Sequence, residues 1–271
     1  MYKVKLNQNY IKEKRTRVVI VGMAGSGKTW YAFESFFFAV PKGWSKYSRS
    51  SSLKECNIFF DTNNSNVEPS TYEMIRAYST VFKHDVIITH TVEEFTKAFE
   101  CGLHHIICAP GLTEDTESYK ERVFEITAMV QNYQASLPVQ MRQPTFMYYD
   151  EVSALTPKMT ESIVSQVYTR GRILRIFPVA ISQRPQMIPR FIFDESSYDI
   201  VFKLRTEHYH ALKTSYGMDT PYYVQEELAS IPYLYYVYDG HSWRRGFDKV
   251  KTKTKTPGIT IEKYTQVKRK C

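Results

Sequence analysis

The chain has 271 residues, 43% of them apolar and 24% charged. That is the balance of an ordinary globular protein of one large or two small domains, and it excludes a disordered or fibrous chain. Lys and Arg outnumber Asp and Glu by 36 − 28 = 8, a surplus that suits an anionic partner such as nucleic acid and equally a merely basic surface. Four cysteines, at 56, 101, 108 and 271, are too sparse for a disulfide framework and point to a reducing compartment; the polar start MYKVKLNQNYIKEKR is not a secretory leader, and no run nears the roughly 20 apolar residues of a membrane helix.

Residues 1–16 read as a basic arm. RVVIVG (17–22) is a buried strand, and residues 28–40 are a helix stopped by Pro41-Lys42-Gly43. A basic loop with two aromatics, KGWSKYSRSSS (42–52), leads to a second strand, CNIFFDT (56–62), ending in Asp61. The pattern predicts a helix over 70–81, a third strand at DVIITH (85–90), and a helix from Thr91 to about Cys101 with Glu94 at capping-box spacing. HHIICAP (104–110) is a fourth strand; 113–135 carries apolar residues at spacings of three and four, the signature of a long helix. PTFMYYDE (144–151) is a fifth strand, 162–170 a helix, 176–182 a sixth strand and YDIVFKLR (198–205) a seventh. Strands alternating with helices predict an α/β fold with a mainly parallel sheet, and their continuous apolar character predicts strands covered on both faces. IPYLYYVYDG (231–240) and SWRRGFDKV (242–250) read as a hairpin about Asp239-Gly240, followed by a tail that alternates Lys with Thr.

Three stretches carry chemistry. The first is Gly22-Met23-Ala24-Gly25-Ser26-Gly27-Lys28-Thr29, followed by Trp30, which fits G-x-x-x-x-G-K-[ST] between a strand and a helix. Glycines there let backbone N–H groups turn inward around phosphate oxygens, and the helix adds its positive end. Lys28 can reach the β- and γ-phosphates of ATP, and the Thr29 hydroxyl can ligate Mg²⁺. The second is TFMYYDEV, where Asp150 at a strand end can hold the metal and Glu151 can polarise an attacking water. The third is TRGRILRIFPVAISQRP. If its strand lies beside the other two, Gln183 faces the terminal phosphate, while Arg170 or Arg172, which precede the strand, can reach a neighbouring subunit's nucleotide or else belong to a solvated basic turn.

This order of phosphate loop, strand–Asp150-Glu151, Gly-Arg and strand–Ser182-Gln183-Arg184-Pro185 resembles the FtsK–HerA superfamily of DNA-pumping ATPases over about residues 17–205. In its compact format the chain is most similar to the viral genome-packaging branch. The resemblance implies a RecA-like P-loop NTPase core over 17–230 with a small C-terminal β-rich extension over 231–271. It implies a homo-oligomeric ring, usually a hexamer, around double-stranded DNA, with ATP between subunits. Gly22 to Thr29 then match the nucleotide loop, Asp150 the metal aspartate, Glu151 the catalytic glutamate and Gln183 the polar sensor. The arginine finger falls on Arg170 or Arg172. The setting implied is a virion or host cytoplasm, with a capsid or membrane-vertex protein as a further partner. Two other readings share these motifs: a nucleotide-switched phage assembly protein, and a helicase- or conjugation-type DNA ATPase. The chain departs from the cellular members in having no large accessory domain and no recognisable winged helix.

Weaker signals remain. Cys101-Gly-Leu-His104-His105-Ile-Ile-Cys108 has zinc-like composition, but side chains alternate across a strand, so all four are not expected to converge on one ion. The 42–52 loop, Trp243-Arg244-Arg245 and the Lys249–Lys255 tail read either as phosphate contacts or as solvated edges. The tyrosine-rich run at 233–238 reads as core rather than as a stacking platform.

Overall fold

The computed structural model describes residue 11 and residues 16–37, 55–63, 72–73, 75–76, 79–80, 85–156 and 163–246. The N-terminal arm but for residues 11 and 16, the 42–52 loop and the Lys/Thr tail lie outside the described residues, as does much of the helix expected over 70–81.

Among the described residues nine strands form one sheet: β1 (Val18–Val21), β2 (Cys56–Phe60), β3 (Val86–Thr89), β4 (His105–Cys108), β5 (Thr145–Tyr149), β6 (Ile176–Ser182), β7 (Tyr198–Phe202), β8 (Tyr235–Tyr238) and β9 (Trp243–Arg245). Their order across the sheet is β3-β4-β2-β5-β6-β1-β7-β8-β9. β1 to β7 run parallel; β8 and β9 are added antiparallel at one edge. The C-terminal hairpin is thus an edge of the same sheet, and the division drawn at 230/231 falls beside a strand that pairs directly with β7.

The helices are α1 (Lys28–Phe37), α2 (Val92–Glu100), α3 (Thr116–Ser136), α4 (Val152–Leu155), α5 (Ile163–Leu174), α6 (Arg190–Asp194), α7 (Thr206–Tyr216) and α8 (Tyr222–Ser230). Every residue of β1, β2, β4, β5 and β6 is buried, as expected for strands covered on both faces. Period-two alternation sorts them into two cores. Val19 and Val21 face α2, α3 and α5, and Val18 and Ile20 face α1. On that second face Phe33 stacks on Phe59 with ring centroids 4.1 Å apart, which explains the aromatic run in α1.

Local signals explain most boundaries. Thr91 caps α2 by accepting the Glu94 N–H at 3.1 Å, while the Glu94 carboxylate accepts the His90 N–H at 2.7 Å. Asp115 caps α3 and displaces its start from the expected 113 to Thr116. Gly217 at φ 68 ends α7. The helix expected to stop at Arg170 instead continues to Leu174. Gly171 permits this, because a Cβ there would lie 2.7 Å from the Ile176 carbonyl oxygen as α5 closes onto β6. Arg172 is therefore helical, like Arg170, rather than in a turn. α7 and α8 were not anticipated.

Candidate nucleotide-binding site

The carboxyl ends of parallel strands share one edge of the sheet, and ligands bind there where consecutive strands diverge to opposite sides. β1 is that point: its neighbours are β6 and β7. β6 lies directly between β1 and β5, so the ends of the three chemistry-bearing strands are adjacent.

The loop after β1 is stitched to both neighbours. Gly22 N–H donates to Ser182 O at 3.2 Å, and Met23 N–H to Lys203 O at 2.9 Å. Gly22 has no room for a side chain: a Cβ would meet Ser26 Oγ at 2.5 Å and Phe202 Cβ at 2.7 Å. Gly25 and Gly27 take φ of 74° and 100°, where glycine is unpenalised. Ala24 is exposed and Met23 half-buried, so the loop presents backbone more than side chains. Ser26 Oγ is buried and has no hydrogen-bond partner among the described residues, which suits a hydroxyl that meets a ligand oxygen. α1 begins at Lys28 with no acid in its first turn, leaving the positive end of the helix uncompensated there. Thr29 is half-buried and Trp30 is 42% exposed.

Lys28 is only 5% exposed. Burial pulls its ammonium below the usual lysine range, and the nearby Asp150 and Glu151 carboxylates oppose that shift. The lysine and the two acids therefore share one buried space.

Two buried tyrosines fix the strand that delivers the acids. Tyr148 OH meets Ser35 Oγ of α1 at 2.9 Å on one face, and Tyr149 OH meets Thr127 Oγ1 of α3 at 3.3 Å on the other. Asp150 is 1% exposed and is raised to about 7, by burial first and then by the Asp61 carboxylate, against Lys28 and a hydrogen bond from Asn63. The register Phe60↔Tyr149 sets Asp61 beside Asp150 one step on. Thr62 Oγ1 donates to Asp150 O at 2.6 Å, and Asn63 Nδ2 to Asp150 Oδ2 at 3.2 Å. Asp61-Thr62-Asn63 was not singled out for this site; its only sequence signal is an acid at the end of a buried strand.

Glu151 takes a left-handed backbone, φ 48°, an uncommon state for a non-glycine residue. Its carboxylate is held by three donors: Ser153 Oγ at 2.6 Å and Ser182 Oγ at 2.8 Å on Oε1, and the Gln183 N–H at 3.2 Å on Oε2. Gln183 follows the last residue of β6 and is half-buried, so it stands beside Glu151. The serines at 153 and 182 are positioning groups that only tertiary contact reveals.

Arg170 and Arg172 are exposed on α5 and are not brought to Lys28. α5 ends at Leu174, where β6 begins, and that is the edge of the sheet opposite the phosphate loop. The side chains of the Cys/His run disperse. Cys101 is exposed at the end of α2, and His104 meets the Gln143 amide at 3.1 Å. His105 stacks parallel to Phe37 at 5.8 Å, and burial pushes the Cys108 thiol up to about 12. At the sheet edge Arg244 pairs with Asp239 and Arg245 with Glu227, each at 2.8 Å.

The chain has the P-loop ATPase fold. It superposes on the genome packaging NTPase B204 from Sulfolobus turreted icosahedral virus 2, solved in complex with AMP, at a TM-score of 0.56 and 12% identity, over 86% of this chain and 96% of that one. B204, the DNA-packaging ATPase from Sulfolobus Turreted Icosahedral Virus, gives a TM-score of 0.54 at 14% identity over 86% and 97% of the two chains. VirB4 of Thermoanaerobacter pseudethanolicus gives 0.56 at 11% identity over 85% and 88%. At 11–14% identity these likenesses show the fold that the chains share. No protein-family model matches the chain, and no curated protein does. Among the described residues no helix is long and apolar enough to cross a membrane.

Proposed function

We propose that this protein is an ATP-driven translocase that moves double-stranded DNA into a preformed viral, or mobile-element, capsid. The observation that carries the reading is the adjacency of β1, β6 and β5. The Asp150 and Glu151 carboxylates act electrostatically on the buried Lys28, and the Gln183 N–H meets Glu151, which supports reading them with the phosphate loop as one site. The likeness in fold to a packaging NTPase over nearly its whole length supports the same reading, as does the surplus of 8 positive charges.

In this reading the backbone N–H groups of Gly22 to Thr29 and the first turn of α1 cradle the phosphates of ATP, and Lys28 neutralises the β- and γ-oxygens. Thr29 and Asp150 offer hydroxyl and carboxylate oxygens, the donor type that Mg²⁺ takes, and the second buried carboxylate at Asp61 adds negative charge suited to a cation. Thr29 and Asp150 would hold the Mg²⁺, which would supply positive charge to offset that of the phosphates. Glu151 orients the attacking water and accepts its proton, held for that task by Ser153, Ser182 and the Gln183 N–H. Gln183 senses the terminal phosphate. Arg170 or Arg172, at the far edge of the sheet from its own Lys28, acts on a neighbouring subunit's nucleotide in a ring, a hexamer by the resemblance. DNA is held through its backbone. The particle works in the virion or host cytoplasm, peripheral at a capsid vertex.

The test is steady-state ATPase activity of the wild type, Lys28→Ala and Glu151→Gln, with and without duplex DNA. Turnover should be stimulated by duplex and lost in both variants, with binding retained by Glu151→Gln. Equal activity in all three proteins refutes the assignment. Turnover indifferent to DNA favours a nucleotide-switched assembly protein, and strand displacement on forked DNA favours a helicase- or conjugation-type enzyme.

A further inference from the structure

The tyrosine-rich run splits in an unexpected way. Leu234, Tyr235, Tyr236 and Val237 are buried, as a core strand should be, but Tyr233 is 56% exposed. Its backbone takes φ 63°, the left-handed region that a bulky residue seldom adopts. That turn carries its ring onto the phosphate loop. A Cβ built on Gly27, the residue before Lys28, would lie 3.0 Å from Tyr233 Cδ1 and 3.6 Å from Tyr233 Cβ. With any side chain at 27, the ring would have to move away.

The support beneath it is closely packed. Tyr31 of α1 packs on Tyr235 at 4.8 Å and on Phe202 at 6.0 Å, and Phe202 packs on Tyr235 at 5.4 Å. Lys203 Nζ donates to Ala229 O at 3.1 Å and ties the end of α8 to the end of β7. The segment between α8 and β8 is thereby anchored on the β7 side of the loop.

The side matters. Asp150, Glu151 and Gln183 all lie on the β6–β5 side of the phosphate loop. A triphosphate whose terminal group faces those residues passes its α-phosphate and nucleoside out on the other side, over β7 and β8. Tyr233 stands there, with one edge against Gly27 and much of the ring open to solvent.

We propose that Tyr233 is the platform on which the base of a bound nucleoside triphosphate stacks; the inference rests on the nucleotide reading above. A flat, half-exposed ring on a fixed backbone loses little freedom when a base covers it, and stacking needs no particular pattern of donors on the base.

The experiment compares binding of ATPγS with binding of inorganic tripolyphosphate, both with Mg²⁺, by calorimetry. The proteins are the wild type, Tyr233→Ala and Tyr233→Phe, with circular dichroism as the check on folding. Tyr233→Ala should weaken ATPγS by roughly ten- to thirtyfold, in the range of a lost base–aromatic stack, and leave tripolyphosphate within about twofold of the wild type. Tyr233→Phe should bind both as the wild type does. Equal weakening of the two ligands by Tyr233→Ala would overturn the inference, because the ring would then be bracing the loop rather than meeting the base. Unchanged ATPγS affinity would overturn it as well. A wild type that binds neither ligand would remove the nucleotide reading itself, and this inference with it.

Discussion

Ser182→Ala is the sharpest probe of how the site is organised. The Ser182 hydroxyl donates to Glu151 Oε1 at 2.8 Å and accepts the Arg184 N–H at 3.1 Å, so it joins the end of β6 to the acid at the end of β5. Removing it leaves Glu151 with two of its three donors, Ser153 Oγ and the Gln183 N–H. A hydrogen bond to an ionised group contributes about 1.5–3 kcal/mol. If half of that, about 0.75–1.5 kcal/mol, orients the carboxylate, kcat should fall about four- to thirteenfold, since each 1.36 kcal/mol is tenfold in rate. Ser182 lies behind the acid rather than in the phosphate loop, so KM and the affinity for ATPγS should stay within about threefold. Phosphate release and calorimetric binding measure the two quantities. Ser182→Thr, which keeps the hydroxyl, should retain most activity. On a Glu151→Gln background Ser182→Ala should cost nothing further in turnover, because the group it positions is already gone. Unchanged kcat in a folded Ser182→Ala protein would refute the reasoning. A rise in kcat would show that the serine restrains Glu151 rather than aiming it, and a loss confined to binding would give the hydroxyl to the nucleotide.

Three further outcomes are expected. Burial raises Asp199 to about 7, against a hydrogen bond from Ser196; the folded chain then holds a proton that the unfolded chain has released between about pH 4 and pH 7, so this residue's contribution to stability declines by about 4 kcal/mol as pH rises through that window. Asp199→Asn should flatten that part of the stability–pH profile in urea titrations, and an unaltered profile would count against it. Gly171→Ala places a Cβ 2.7 Å from the Ile176 carbonyl oxygen; overpacking of about 1–3 kcal/mol exceeds the helix-propensity gain of about 1 kcal/mol, so urea midpoints should drop, and a midpoint equal to or above that of the wild type would show that α5 can shift. Arg172→Ala subunits mixed into wild-type assemblies should depress ATPase activity by more than their share; a merely proportional decline would point to Arg170 or to another residue.

The strands and the phosphate loop were legible because each rests on local chemistry. Val18–Val21 is a short apolar run that fits only a covered strand, and glycine at 22, 25 and 27 answers to φ or to space at that very position. The Thr91 cap and the Asp239-Gly240 hairpin are decided within a few residues in the same way. Where the local signal was weak the reading failed. Gly171 looked like a helix end because glycine usually disfavours helices, but its reason is a close approach to Ile176 in the next strand. Tyr233 looked like core because it opens the apolar and aromatic run 233–238, of which residues 234–237 are indeed buried, and its left-handed backbone turns it out.

By itself, then, the order of residues determined which segments are strands, where a glycine-rich loop joins a strand to a helix and which acids and amide follow the ends of β5 and β6, because propensity, turn geometry and periodicity operate over neighbouring positions. Only the tertiary structure decided that β6 slots between β1 and β5, that Ser153 and Ser182 grip Glu151, that Asp61 stands beside Asp150, and that Arg170 and Arg172 sit at the opposite edge from Lys28. Strand order and register are set by how two helix layers share the faces of one sheet, a global packing condition that is not encoded in any single stretch of the chain.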